Sequence, residues 1–197
     1  MRIQGVILPS EPLVEWESES LPYRKLRQDQ SYLAWQMQQI RQLRKEPIVL
    51  LGPEGDNLLR AIPKLSDRKM VFTRDRLHHL LEQIQVGLRG SGSCSFFLPL
   101  EVPTPSPNVW LELERTFLAL PFHEGPHILA PTFDGQRGFP LIITKDGRDF
   151  LENIPQTEQS LFDVAGLIVQ DVPVESSTCR DWMASPQSLI EYLDLIS

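Results

Sequence analysis

Basic charge, cysteine and long apolar runs are all scarce in this chain of 197 residues. Its 19 Lys and Arg against 26 Asp and Glu give a net charge of −7, which argues against a nucleic-acid partner because such contacts need a basic surface. No stretch approaches the ~20 apolar residues of a membrane-spanning helix. The run Ile3–Leu8 is too short for a secretory signal. Cys94 and Cys179 form no spacing motif, so we expect free thiols in a cytoplasmic protein.

Short apolar runs alternate with longer amphipathic segments, which is typical of an α/β protein. Residues 30–44 and 76–88 repeat apolar side chains every three to four positions, as core-facing helices do, and Ser185-Pro186 predicts the start of a last helix. The predicted strands are Ile3–Leu8, Ile48–Leu51, Met70–Phe72, Ser95–Leu100, His127–Ala130, Pro140–Ile143 and Leu167–Val172. This alternation predicts one domain over residues 1–197, with a mostly parallel sheet covered on both faces by helices.

Ligands of open parallel sheets gather at the carboxyl ends of the strands, so the segments after each strand are the candidate sites. The segment Ser-Phe-Phe-Leu-Pro-Leu-Glu101-Val-Pro ends a predicted strand in one carboxylate, a suitable place to hold a metal and a phosphate chain. The alternative is a strand-end carboxylate in water.

Residues 9–22 contain no Gly, Lys or Arg and four glutamates, which would repel phosphate. Gly52-Pro-Glu-Gly-Asp56 lacks the Lys-Ser/Thr of a phosphate-binding loop and predicts a strand-to-helix turn.

Several short motifs follow one another over nearly the whole chain. In order they are a lysine before a helix, Gly-Pro-Glu-Gly after a strand, Leu-Pro-Leu-Glu-Val-Pro, Gly135-Gln-Arg-Gly-Phe-Pro140 and a closing Ser-Pro-Gln-Ser-Leu helix. This series resembles the nucleotidyltransferases of molybdenum-cofactor synthesis, the molybdopterin guanylyl- and cytidylyltransferase type. The resemblance implies a three-layer α/β/α, Rossmann-like fold of the nucleotide-diphospho-sugar transferase kind. It also implies transfer of a nucleoside monophosphate from a Mg²⁺-bound triphosphate to a phosphorylated acceptor, with release of pyrophosphate.

The resemblance implies roles for two residues and also shows departures. Lys25 matches a family lysine that binds the nucleotide, although an ordinary surface lysine is an equal alternative. Glu101 stands where the family has the Mg²⁺-binding aspartate of Pro-x-Asp-x-Pro. Phe139 replaces a family histidine, and residues 9–22 replace the family's glycine-rich phosphate loop. The turn Trp182–Pro186 lacks the family's second carboxylate, although Asp181 lies one residue upstream.

These departures divide the functional prediction in two. Because several groups that would stabilise a triphosphate are missing together, we expect a nucleotidyltransferase-fold protein with weak or lost catalysis and a binding or regulatory role. The alternative is an active Mg²⁺-dependent nucleotidyltransferase, with Lys25 binding phosphate and Glu101 binding Mg²⁺. A rearranged site, in which Arg24 and Lys25 do the work of the lost loop, also stays open. The expected partners are therefore a nucleoside triphosphate or another protein. Trp16, inside the acidic segment, is either an anchor for that protein or a side chain packed over the nucleotide cleft.

One motif points to zinc only superficially. His123-Glu-Gly-Pro-His127 matches the His-Glu-x-x-His pattern of zinc proteases, which requires both histidines on one continuous helix. Because Gly-Pro inside the motif interrupts a helix, we predict a loop and no zinc site here. His78 and His79 are predicted to be surface residues of a helix rather than a metal-binding pair.

Overall fold

The computed structural model describes residues 4–8, 31–51, 69–73, 77, 79–92, 95–120, 125–155 and 160–179. Eight strands in this part of the chain belong to one sheet. They are β1 (Gln4–Leu8), β2 (Glu46–Leu51), β3 (Lys69–Phe72), β4 (Ser95–Pro99), β5 (Ile128–Phe133), β6 (Gln136–Arg137), β7 (Leu141–Ile143) and β8 (Val169–Pro173). All seven predicted strands are present, with ends shifted by a few residues, and the two-residue β6 was not predicted.

The sheet is mostly parallel, as the sequence predicts. Its order is β3-β2-β1-β4-β7-β5-β6, and β8 pairs with β5. β1 pairs in parallel with β2 and β4, whereas β7 runs antiparallel between β4 and β5. β1, β2, β3, β4, β5 and β8 therefore all end at the same edge, which we call the carboxyl edge.

Four helices of the described residues carry recognisable start signals: α1 (Tyr32–Gln42), α2 (Leu80–Gly90), α3 (Pro107–Leu118) and α4 (Lys145–Glu152). The Ser31 hydroxyl accepts a hydrogen bond from the Ala34 amide at 3.3 Å and caps α1, and Thr144 caps α4 in the same way. α1 and α2 confirm two predicted helices, whereas α3 and α4 were not predicted. The helix predicted from Ser185 lies outside the described residues. None of the described helices has the length and apolarity needed to cross a membrane.

Different helices cover the two faces of the sheet. On one face Gly5 lies under α1, where an added Cβ would come within 2.8 Å of Ile40, and its β4 partner Phe96 packs edge-on against Trp110 of α3 at 4.8 Å. On the other face Phe97 lies under α2, because a Cβ added at Gly87 would be 2.9 Å from its ring. The sheet is thus buried between helical layers, which confirms the three-layer α/β/α prediction.

The helices α2 and α4 cap each other's carboxyl ends on the second face. Arg148 of α4 donates from its guanidinium to the carbonyls of Ser91 at 3.1 Å and Gly92 at 2.9 Å, and also to that of Leu88. In return, the amide of Gln85 in α2 donates to two carbonyls at the end of α4, at 2.9 and 3.1 Å. Each side chain thereby adds hydrogen bonds to carbonyls at or just beyond a helix end, where the regular helical ladder stops.

Candidate functional site

Glu101 lies in a tight turn at the carboxyl edge, directly after β4. The turn is closed by a hydrogen bond of 3.0 Å from the Val102 amide to the Pro99 carbonyl. Before it, the Leu100 amide donates to the Leu8 carbonyl at 3.1 Å, so the ladder between β1 and β4 continues to the turn. Leu100 and Val102 are buried, whereas Glu101 is half-buried. The turn therefore places the backbone of Glu101, a partly exposed acidic residue, at the edge that parallel sheets use for ligands.

The loop after Glu101 is fastened to α1 by one buried amide. Gln36 is 0% exposed, and its Nε2 donates to the Val102 carbonyl at 2.7 Å and to the Tyr32 hydroxyl at 2.9 Å. Its Oε1 accepts from the Thr104 amide at 2.8 Å and also from the Thr104 hydroxyl. This side chain is the functional candidate that the sequence prediction missed. A signal existed, because Gln36 interrupts the buried stripe of Leu33, Met37 and Ile40 on α1.

The segment after β8 closes the other side of this edge. The Thr178 hydroxyl accepts from the Ser106 amide at 3.2 Å, which joins this segment to the start of α3. The Cys179 carbonyl accepts from the Phe139 amide at 2.9 Å, which joins it to the entry of β7. Phe139 is buried at 4% exposure. It therefore belongs to the core and offers no polar group to a ligand.

The motif Gly135–Pro140 forms a hairpin and its exit. Asp134 and Gly135, with φ of 48° and 74°, are the two loop residues between β5 and β6, and positive φ at both is what a type I′ hairpin turn requires. The Gly138 amide donates to the Pro131 carbonyl at 2.8 Å.

Arg137, the basic residue of this motif, is already paired. Its Nε lies 2.6 Å from Oδ1 of Asp171 on β8, and its guanidinium lies 5.4 Å from the centre of the Phe162 ring. Both charged side chains remain partly exposed. A phosphate could recruit Arg137 only in competition with the Asp171 carboxylate.

At the described part of the carboxyl edge, Glu101 is a carboxylate that could help to hold a metal shared with a ligand. No group of three His, Cys, Asp or Glu side chains in the described segments could hold a metal ion. Mg²⁺, however, is commonly bound by one or two carboxylates together with substrate phosphates and waters. Glu101 fits that role, since it offers oxygen ligands to a hard cation. A metal held by protein ligands alone does not fit the described residues.

Several residues singled out from the sequence lie outside the described part of the chain. They are Trp16, Arg24, Lys25, the segment Gly52–Asp56, His78, Cys94, His123, Glu124, Asp181 and the turn Trp182–Pro186. Lys25 as a nucleotide-binding residue therefore stays a prediction. Within the described residues, Cys179 is buried, and its thiol donates to the Ser176 carbonyl at 3.4 Å.

His127 lies at the opposite edge of the sheet, immediately before β5. Gly125 to His127, the described part of the zinc-protease-like motif, are not helical, as the loop prediction requires. The His127 Nδ1 accepts from the Ile168 amide at 3.1 Å, and its ring stacks on Phe150 with centroids 4.4 Å apart. Burial lowers the pKa of His127 below its usual value, and the nearby charge of Asp146 opposes this in part.

Known structures share this fold at low sequence identity. Rv0371c from Mycobacterium tuberculosis H37Rv superposes with a TM-score of 0.74 at 16% identity, over 98% of this chain and 99% of that one. A manganese complex of Rv0371C gives 0.69 at 14% identity, over 98% of this chain and 99% of that one. The molybdopterin-guanine dinucleotide biosynthesis protein A from Archaeoglobus fulgidus gives 0.67 at 14% identity, over 98% of each chain.

The sequence itself matches no protein-family model and no curated protein. At identities of 14 and 16%, the structural likeness shows the fold alone. The chain therefore has the fold of nucleotide-diphospho-sugar transferase-like proteins.

Proposed function

We propose that this chain is one nucleotidyltransferase-like domain, related to the molybdenum-cofactor guanylyl- and cytidylyltransferases, with a binding or regulatory role. Its ligand at the carboxyl edge would be a nucleoside triphosphate with a divalent metal, and nucleotidyl transfer would be weak or lost. The observation that carries the proposal is Glu101, a half-buried acidic residue whose backbone is fixed at the carboxyl edge by the turn after β4.

The metal part of the proposal rests on the geometry of Glu101 and on the known structures. The turn fixes the backbone on both sides of Glu101, so its carboxylate could join phosphate oxygens around one cation. Such a metal would neutralise phosphate charge when bound. A protein with this fold, Rv0371C from M. tuberculosis, has been solved with manganese. Mn²⁺ and Mg²⁺ both favour oxygen ligands, so either ion suits Glu101.

Electrostatics supports weak or lost transfer. Enzymes that move phosphoryl-containing groups depend on preorganised positive charge and N–H donors, and losing one such donor typically costs about 2.7–4 kcal/mol of transition-state stabilisation. Here Arg137 is paired with Asp171, and Phe139 lies in the core. Residues 9–22 contain four glutamates and no basic residue, and Pro9 and Pro12 lack the N–H that could donate to phosphate.

The second candidate is an active Mg²⁺-dependent nucleotidyltransferase with a phosphorylated acceptor. Arg24 and Lys25 favour it, because they are two adjacent basic residues ahead of α1 in a chain whose residues 9–22 contain none. In that case they would supply the positive charge that the loop lacks. Release of pyrophosphate from a bound triphosphate, with molybdopterin as the acceptor, would support this candidate over the first.

Calorimetric titration of GTP, CTP and ATP, each with and without Mg²⁺ or Mn²⁺, tests the proposed function. We expect metal-dependent binding that weakens at least about tenfold, or 1.4 kcal/mol, in Glu101→Gln. Glu112→Gln is the matched control, because Glu112 is a partly exposed carboxylate on α3 whose ion-pair partner within the described residues is exposed Arg115. Absence of binding at millimolar nucleotide would rule out the nucleotide site and turn attention to a protein partner.

A further inference from the structure

The amide of Gln36 uses all of its hydrogen-bonding capacity, and most of it goes to one loop. A side-chain amide has two N–H donors and an oxygen that accepts two hydrogen bonds. In Gln36 one donor reaches the Val102 carbonyl at 2.7 Å, and the oxygen accepts from both the amide and the hydroxyl of Thr104. The other donor reaches Tyr32, one turn earlier on α1.

Other buried glutamines of the described chain are arranged differently. Gln83 is 2% exposed, and its Nε2 has no hydrogen-bond partner. Gln85 is 6% exposed and donates to two carbonyls at the end of α4, on the far face of the sheet. Burial of an amide alone therefore does not explain the contacts of Gln36, which converge on the residues that follow Glu101.

We infer that Gln36 is a positioning residue that holds Glu101 in place through the loop 102–104. Glu101 is bonded directly to Val102, whose carbonyl Gln36 binds and whose amide closes the turn around Glu101 at 3.0 Å. The consequence for ligand binding rests on the proposed function. Because Mg²⁺ requires near-ideal octahedral geometry, a small displacement of this carboxylate would weaken a metal shared with phosphate.

The loop would reorganise without this amide because its polar groups are poorly placed to reach water. Val102 is 0% exposed and Pro103 is also buried, whereas Thr104 is half-buried, so the Val102 carbonyl above all would lose its partner where water has little access. Opening the loop would hydrate both groups. That movement would also pull on the turn that carries Glu101.

Gln36→Met tests this inference, with Gln85→Met as the matched control. Methionine has a similar length and no amide, and Gln85 is a second buried glutamine that binds two carbonyls away from the loop. The first measurement is hydrogen exchange of the Val102 amide, whose acceptor is the Pro99 carbonyl rather than Gln36. The second is titration with Mn²⁺ and GTP, CTP or ATP.

We expect Gln36→Met to speed exchange of the Val102 amide at least tenfold more than its change in global stability explains. Gln85→Met should leave this amide protected after the same correction. Metal-dependent nucleotide binding should weaken at least tenfold in Gln36→Met and stay within about twofold of wild type in Gln85→Met. If Gln36→Met does not fold, Thr104→Val removes only the hydroxyl contact and should shift both readouts in the same direction by a smaller factor.

Equal protection of the Val102 amide in the two glutamine variants would overturn the inference. Faster exchange with unchanged metal–nucleotide binding would refute the link between Gln36 and the placement of Glu101. A wild-type protein that binds no metal–nucleotide complex would refute the proposed function instead, and the exchange data would still decide whether Gln36 holds the loop.

Discussion

At the scale of single residues, Lys45 carries a buried charge far from the candidate site. Its Nζ lies 2.8 Å from Glu114 Oε2 and 4.9 Å from the centre of the Phe96 ring, with side-chain exposures of 7% for Lys45 and 32% for Glu114. Lys45→Met would leave Glu114 without this partner. Because Glu114 keeps some contact with water, we expect a loss of about 1–3 kcal/mol of unfolding free energy, measured by urea denaturation.

Arg115→Met is the matched control for Lys45→Met. Arg115 lies on the same helix as Glu114 and pairs with Glu112, with side-chain exposures of 77% and 43%. Exposed pairs of this kind contribute about 0–1 kcal/mol, so the control should unfold at nearly the wild-type urea concentration. Equal losses of unfolding free energy in Lys45→Met and Arg115→Met would contradict the expectation that burial makes the Lys45–Glu114 pair more important to stability.

His127 makes stability depend on pH. Burial lowers its pKa in the folded protein, so below about pH 6.5, the usual value for histidine, the unfolded chain binds more protons than the folded one. The unfolding free energy contributed by His127 should therefore fall as the pH drops from about 6.5 towards the lowered pKa. His127→Asn keeps an acceptor for the Ile168 amide and removes the titration. As the pH falls from 8 to 5, the urea midpoint should decline less in His127→Asn than in the wild-type protein. Parallel curves for the two proteins would contradict this.

Sequence patterns predicted the position of Glu101 in the candidate site but not the role of Gln36, which holds the loop after it. The position of Glu101 could be predicted because an apolar run followed by a lone carboxylate marks the end of a buried strand. The role of Gln36 could not, because its partners lie far along the chain, at Val102 and Thr104. Phe139 was recognised as a loss of polarity, but its burial in the core depends on a backbone contact with Cys179.

At the scale of secondary-structure elements, apolar periodicity did not predict α3 or α4, and the reasons differ between the two helices. α4 has only eight residues, and Gly147 and Leu151 are its two buried ones, so it shows almost no apolar stripe. α3 has a stronger signal, since Ser106-Pro107 is the same start signal that predicts the helix at Ser185. Its nearby prolines favour a loop interpretation until Pro107 is recognised as the first helical residue.

The reciprocal capping of α2 and α4 predicts a specific stability loss. Arg148→Met would remove charge-assisted hydrogen bonds to carbonyls at the end of α2, at a cost of about 1.5–3 kcal/mol. Glu152→Gln is the control, because it removes only the ion pair of Arg148 Nε at 3.0 Å with a partner that is 37% exposed. Thermal unfolding should separate the two variants clearly. A loss in Glu152→Gln as large as in Arg148→Met would assign the stabilisation to the ion pair instead.

At the scale of the whole molecule, the sequence predicted the class of the sheet but not its order. Alternating strands and helices predict parallel pairing, and the described strands largely follow it. The insertion of β7 against the direction of its neighbours had no local signal, because its three residues are all buried like those of a parallel strand. Strand order depends on which distant strands pair, and apolar periodicity carries no information on that.

The proposal that residues 1–197 form one domain predicts cooperative unfolding. All eight described strands belong to one sheet, so its parts share the same helical covering layers. We expect a single transition in scanning calorimetry, with the calorimetric enthalpy equal to the van't Hoff enthalpy. Two separable transitions would contradict a single domain.

The central place of β1 has a consequence for how the protein is made. β1 pairs on one side with β2, which follows α1 in the chain, and on the other side with β4. Gln4 can therefore pair with its β4 partner Ser95 only after residue 95 has been synthesised. Contacts between such distant segments slow folding, and an unpaired strand edge promotes aggregation meanwhile. During synthesis on the ribosome, one edge of β1 stays open until β4 has emerged. The time between the synthesis of β1 and that of β4 is therefore the period in which aggregation through this open strand edge competes with folding.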